Sequence, residues 1–143
     1  MNYQITSVGA NVIFDGSGHT ITIINKVNFP GLFPSSVIVK NLGISSFGTT
    51  TLATFAGWFF ATGFDVVTLR GYGWSYPITY ISGTAHNCYS TGQIGNQGGG
   101  IFGKWSSGTA INCYSTGYIG TNGGGIFGYN SSGTARNCYS TGI

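Results

Sequence analysis

Cysteine is the residue type whose spacing in this sequence most directly suggests chemistry. Cys88, Cys113 and Cys138 recur at intervals of 25 residues, each within the segment Asn-Cys-Tyr-Ser-Thr-Gly. Three equivalent thiols are candidates for a metal site or for disulfides, but no histidine recurs with them, and side chains that point in parallel suit disulfide geometry poorly. We therefore predict buried, reduced thiols that fill space as small apolar groups, with no metal and no cofactor.

The two aspartates are the sequence's only acidic residues and its only candidates for carboxylate chemistry. Polysaccharide-cleaving enzymes need carboxylates that converge, either for acid–base work or to hold calcium. Asp15 lies in Phe-Asp-Gly-Ser-Gly, a turn-like segment, and Asp65 lies far from it in the sequence. We predict that Asp15 caps a turn, that the chain has no catalytic residue, and that it is not an enzyme.

Glycines in Gly-Gly-Gly-Ile-Phe-Gly, at 98–103 and 123–128, match the spacing of dinucleotide-binding loops. Such a loop requires a following helix and an acidic residue about twenty positions later. Neither is predicted here, so these glycines are interpreted as turn residues.

A repeat of 25 residues must position all of these groups. Residues 82–106 and 107–131 are identical at nineteen of 25 positions, and a third copy begins at 132. Each copy contains short β-prone pieces separated by Ser-Thr-Gly, Gly-Gly-Gly and Ser-Ser-Gly turns. This pattern predicts an all-β, right-handed parallel β-helix. One domain spans 1–143, with degenerate coils in 1–81 and regular coils in 82–143, about five to six coils in all. Within the degenerate part, 35–44 and 64–73 are expected to form further rungs of the stack.

Residues 25 apart in such a solenoid stack at about the inter-strand spacing of 4.8 Å. We predict that the asparagine amides bond along their column, and that alternation points Ile101 and Phe102 to opposite sides. The predicted structural columns are Asn87/Asn112/Asn137, Cys88/Cys113/Cys138, Tyr89/Tyr114/Tyr139, Ile101/Ile126 and Phe102/Phe127. Threonines also recur, and flat threonine arrays can bind ice or sugar, but threonine beside turns is ordinary in solenoids.

Composition excludes several classes of protein. Charged residues are only 5% of the chain, and the five cations are scattered singly, which argues against a nucleic-acid partner. No apolar run approaches the roughly 20 residues that a membrane span requires. The N-terminus does not resemble a signal peptide. This favours a protein that assembles in a host cytoplasm, such as a virion component, unless the chain is a fragment of a longer extracellular protein.

The segment Gly-Gly-Gly-Ile-Phe-Gly-Tyr-Asn-Ser-Ser-Gly-Thr-Ala-Arg-Asn-Cys-Tyr-Ser-Thr-Gly, ending at residue 142, resembles the GLUG motif. Ile126 and Phe127 stand where that motif has Leu-Val, and the resemblance covers about 82–143. The segments around 11–23 and 35–44 look like opening coils of pectin-lyase-like right-handed β-helices. GLUG repeats occur in bacterial surface proteins such as adhesins, and similar units appear in structural-looking proteins of large DNA viruses. The resemblance therefore implies a fold more than an activity.

The sequence stops at Ile143 part-way through a coil, with no predicted cap, and its low charge suits a buried surface. We predict a structural protein that self-assembles, or packs with other structural subunits, into a filament, fibre or virion shell. The alternatives are a secreted adhesin fragment that binds glycans and, third, a polysaccharide-degrading enzyme. The predicted interface residues are Trp58, Trp74, Trp105 and Ile143.

Overall fold

The computed structural model describes residue 5 and residues 12–34, 36–65 and 78–143, and it contains only strands, turns and bends in them. The strands are β1 (Ile13–Ile24), β2 (Ile38–Phe47), β3 (Phe64–Asp65), β4 (Ile78–Thr79), β5 (Thr84–His86), β6 (Tyr89–Ser90), β7 (Thr109–Ile111), β8 (Tyr114–Ser115), β9 (Thr134–Arg136) and β10 (Tyr139–Ser140). The short strands reflect the turn residues that interrupt every repeat.

These strands stack in parallel as a β-solenoid of about four turns, which confirms the predicted fold class. We number the coils 1 (12–34), 2 (36–63), 3 (81–105) and 4 (106–130), with residues 131–143 forming part of coil 5. β1 pairs with β2, which pairs with both β5 and β6. β7 and β8 follow in coil 4, and β9 and β10 in coil 5.

The 25-residue period extends into the half of the chain where no repeat is visible. Ile13 pairs with Ile38, the same step that separates Thr84 from Thr109. A bulge between Asp15 and His19 then shifts the register of β1 on β2. Insertions of this kind hide the repeat from sequence comparison while preserving the stacked backbone.

One prediction for the first half was wrong. Residues from Phe64 onward were expected to form a further parallel rung, but Phe64 and Asp65 pair antiparallel with Thr79 and Ile78. The rest of the predicted rung, 66–73, lies outside the described residues. In the sequence, 64–80 is an insertion between coils 2 and 3. The residues on either side of it lie beside the end of coil 3, because Gly63 N donates to Lys104 O and Ile81 N to Trp105 O. The insertion accounts for a turn count below five to six.

The core runs through the solenoid as one cluster of buried side chains. In coils 1 and 2 it is dominated by aromatic rings that are completely buried, namely Phe29, Phe33, Trp58, Phe59 and Phe60. In coils 3 and 4 it consists of aliphatic side chains, Phe102, cysteine, alanine and serine. Phe33, Phe60, Phe102 and Phe127 form a continuous stack of rings that joins the two regions.

Candidate functional site

The cysteine column lies inside the solenoid. Cys88 and Cys113 are buried, Cys138 is half-buried, and all three are free thiols. Each Sγ donates to backbone carbonyls, as Cys113 does to Ala85 O at 3.4 Å and Ile111 O at 3.3 Å. A hydrogen bond with Cys88 and burial raise the pKa of the Cys113 thiol, and burial raises the pKa of Cys138. These two thiols are therefore protonated at neutral pH and poor nucleophiles.

Side chains that could bind a metal ion are not clustered in the part of the chain that the structure describes. No three His, Cys, Asp or Glu side chains there lie close enough together to hold an ion.

Asp15 is held by several partners at the outside of coil 1. Its Oδ1 accepts from the backbone N–H of Ser17 at 2.9 Å and from Asn41 Nδ2 at 3.1 Å, and Lys40 Nζ lies 3.4 Å from Oδ2. The Ser17 hydrogen bond, then those of Asn41 and Lys40, hold the pKa of Asp15 below its ordinary value. This arrangement caps a turn. The Asp65 side chain lies outside the described part, so its distance from Asp15 stays untested.

Asparagines occupy the same corner of coils 2 to 5, in the left-handed backbone region. The φ angles are 54° at Asn41, 55° at Asn87, 52° at Asn112 and 51° at Asn137. Asn tolerates this conformation better than most residues, which explains its recurrence. Asn41 is a member of the column that sequence comparison missed, although Lys-Asn-Leu in coil 2 occupies the place of His-Asn-Cys in coil 3.

The asparagine side chains do not bond continuously along the column, contrary to the prediction. Asn87 Nδ2 donates to Asn41 Oδ1 at 3.2 Å, and Asn41 continues the chain to Asp15. Among the described residues, no side-chain hydrogen bond joins Asn87, Asn112 and Asn137 to one another. Their backbones pair instead: Asn87 N donates to Ile111 O and Asn112 N to Arg136 O. Dihedral preference, rather than amide bonding, accounts for the repeated asparagine.

The tyrosines form a stack on the outside of the solenoid. Ring centroids are 5.0 Å apart between Tyr89 and Tyr114 and 5.2 Å apart between Tyr114 and Tyr139, with planes within 6° of parallel. At its lower end, the Tyr89 ring covers Gly43, where a Cβ would overlap it, and its hydroxyl bonds to Thr20 Oγ1 in coil 1. The faces between neighbouring rings therefore contact one another rather than solvent, whereas Tyr139, at the end of the stack, is largely exposed.

Ile101 and Phe102 are both completely buried, so neither of their columns is exposed in coil 3. The Gly-Gly-Gly-Ile-Phe-Gly segment makes isolated bridges and bends instead of a regular strand, and adjacent side chains can then share the interior. Ile126 and Phe127, one coil further on, are half-buried and pack against the same core.

Of the predicted interface residues, Trp58 is not available at the surface. Trp58 is completely buried, stacks on Phe29 and donates from Nε1 to Gly92 O at 3.1 Å. Trp105 is half-buried, and Trp74 lies outside the described residues. Ile143 is 94% exposed. Of the four residues, only Trp105 and Ile143 are seen to reach the surface.

An aromatic cage around Lys104 was missed by sequence reasoning. Its Nζ lies 4.2 Å from the Trp105 ring centroid, 4.4 Å from that of Phe55 and 5.4 Å from that of Tyr129. Positions 104 and 129 are one repeat apart, so the sequence already placed a lysine next to a tyrosine in one column. That pairing could have predicted the cation–π contact. The three ring contacts hold Lys104 beside the base of the insertion.

No helix in the described residues has the length and apolar character that crossing a bilayer requires. Comparison of the chain with protein-family models, curated proteins and solved structures finds no match to any of them. The resemblance to GLUG repeats stays a prediction.

Proposed function

We propose that the protein is a non-enzymatic structural subunit whose coils stack with those of other copies to build a filament, fibre or shell, such as that of a virion. The architecture supports this, because every coil is a template for the next through parallel backbone pairing.

The observation that carries the proposal is the outer edge of coil 5. Ala85 and Ala110 are completely buried, as are Ser90 and Ser115, whereas the equivalent Ala135 and Ser140 are exposed. This edge can accept a further coil at the same spacing. In the proposed assembly, another copy supplies that coil.

The test is the mass of the purified 143-residue chain by light scattering over a range of concentrations, with electron microscopy of the same samples. We expect ordered particles or filaments. Ala135→Asp should prevent them, because stacking would bury the new carboxylate without a partner. Thr134→Asp is the matched control, since its side chain points outward from the same strand. A monomer at every concentration would refute the proposal.

A glycan-binding surface is the second candidate. It is favoured by a cavity of about 230 Å³ lined by Thr116, Tyr118, Thr141, Gly142 and Ile143, which combines hydroxyl groups with an exposed aromatic ring. Titration of the chain with a soluble oligosaccharide such as cellohexaose, followed by tyrosine fluorescence, tests this reading.

A further inference from the structure

The outward side chains of the parallel sheet divide into two surfaces of different chemistry. Before the asparagine corner, the outward positions include all three charged side chains of the parallel sheet: Asp15, Lys40 and Arg136. After the corner, the segments 20–24, 43–47, 89–93, 114–118 and 139–143 contain no charged residue and no histidine. We call the outward side chains of these five segments the uncharged face.

The uncharged face exposes much of its apolar area. Exposed fractions are 57% for Ile24, 69% for Phe47, 62% for Tyr118 and 57% for Tyr139. These apolar side chains are interrupted by Gln93, which lies between Phe47 and Tyr118, and by a column of hydroxyl side chains. An uncharged surface with this much exposed apolar area marks an interaction site more often than an ordinary solvated surface does.

The relief of the face is a ridge beside a trough. The stacked tyrosines form the ridge, and the shorter hydroxyl side chains Thr91, Thr116 and Thr141 follow two residues later along each coil. In coils 1 and 2 the same trough holds Thr22 and Ser45, whose hydroxyls bond to each other at 2.8 Å. The larger side chains of Phe47 and Tyr118 border its other side.

We infer that the uncharged face is an isologous interface, on which a second copy of this chain packs with its own uncharged face. A two-fold axis perpendicular to the coils places the tyrosine ridge of each copy in the trough of the other. No charge is desolvated, and the two sheets approach to about 10 Å, the usual distance for packed sheets. This inference rests on the proposed function and identifies the surface by which neighbouring stacks join laterally.

A glycan fits this face less well than a second copy does. Sugars stack on the faces of aromatic rings, but the faces of Tyr89 and Tyr114 are covered by their neighbours in the stack. Only ring edges and hydroxyls point outward along most of the ridge. These edges suit the interdigitation of two protein surfaces.

The size of the face predicts a weak contact between two single chains. Five coils at about 4.8 Å and five residues at about 3.3 Å give roughly 400 Å² on each copy, or about 800 Å² in total. Stable interfaces bury about 1,200–2,000 Å², so the isolated pair is transient. Stacking of coils lengthens the face, and many such contacts then act together.

The experiment separates lateral pairing from coil stacking by using the Ala135→Asp variant, in which the outer edge is blocked. Sedimentation velocity over a concentration series should show this variant in a monomer–dimer equilibrium. Adding Thr116→Lys, which places a cation at the centre of the face in both copies, should raise the dissociation constant at least about tenfold. Adding Ile111→Lys instead should leave it unchanged, because that column already carries Arg136 and lies before the corner.

The outcomes distinguish the inference from the proposed function. Two outcomes would contradict the lateral interface and leave coil stacking in place. In the first, the wild-type chain assembles while the edge-blocked variant is monomeric. In the second, Thr116→Lys leaves the dissociation constant of the edge-blocked dimer unchanged. If the edge-blocked dimer responds as expected but the wild-type chain builds nothing larger, the interface stands and the filament or shell is wrong. Binding of cellohexaose that Thr116→Lys abolishes, without any dimer, overturns the inference in favour of a glycan.

Discussion

Coils 1 and 2 and the repeat coils 3 and 4 share one backbone register but differ in what fills their interiors. The column that follows the paired glycines Gly57, Gly99 and Gly124 holds Trp58 in coil 2 and glycine at 100 and 125. Trp58 crosses the interior to Gly92, where a Cβ would overlap it. In the repeats the corresponding space is taken by Ser90 and Ser115, which donate to Gly100 O at 2.7 Å and Gly125 O at 2.6 Å.

The difference shows two ways to close a solenoid interior. In coil 2 the interior is filled by large aromatic rings, above all Trp58. Trp58 fits one particular place, against Gly92 in the next coil, and the same residue does not recur in the coils that follow. Small residues and buried hydroxyls fill the repeats with a set that fits every coil equally. A sequence repeat is therefore visible only where the interior is uniform.

Removal of the largest aromatic side chain should have the largest effect. We expect Trp58→Ala to lower the free energy of unfolding by about 3–5 kcal/mol, because it leaves a cavity and unpairs Gly92 O. Urea denaturation followed by circular dichroism measures the loss. Trp105→Ala, at a half-buried tryptophan in the repeats, should cost clearly less, and equal losses would contradict the contrast between the two interiors.

The contact between the two regions is tested at Gly43. Gly43→Ala should cost about 1–3 kcal/mol, because the new methyl group overlaps the Tyr89 ring that leans over it. The loss should shrink when Tyr89→Ala is also present, and a double-mutant cycle from urea denaturation reports the coupling. Additive losses would show that the ring does not depend on this glycine.

The buried hydroxyls of the repeats should contribute less than the rings. Ser115→Ala is expected to cost about 1 kcal/mol, since it leaves Gly125 O without its side-chain donor. Ser107→Ala, at an exposed serine of the same coil, is the control for serine replacement in general. No difference between the two variants in urea denaturation would remove the proposed role of the serine column.

The smallest expected effect concerns pH and coil 1. The folded pKa of Asp15 is lowered, so its stabilising contribution is present above the unfolded pKa of about 3.9 and is lost as pH falls through the folded value. The melting temperature of the wild-type chain should therefore drop slightly more than that of Asp15→Asn when pH is lowered into this range. Parallel melting curves would show that the carboxylate has no net effect, as exposed ion pairs often have none.

The repeated half of the fold was predictable because its residues recur. Thr84, Thr109 and Thr134 pair in the register that the 25-residue period requires, and Tyr89, Tyr114 and Tyr139 stack as the period implies. The parallel solenoid follows from that regularity.

What escaped prediction depends on contacts between residues that do not repeat. The sequence around Trp58 does not show that this side chain is buried. Its burial depends on Gly92, more than thirty positions away. The cage around Lys104 likewise draws on three coils. The antiparallel pairing at Phe64 could not be distinguished from another parallel rung, because short parallel and antiparallel strands have similar residue patterns.

The lean of the tyrosine side chains gives the molecule a polarity. Tyr89 reaches from coil 3 across Gly43 to coil 1, and the nearly parallel rings of Tyr114 and Tyr139 follow it. Each ring thus overlaps the coil before it, as roof tiles do. Residues 131–143 can separate from coil 4 without displacing Tyr114 or Tyr89, whereas coil 1 cannot leave until Tyr89 is released. Disassembly should therefore have an order, from the last repeat back toward the aromatic coils.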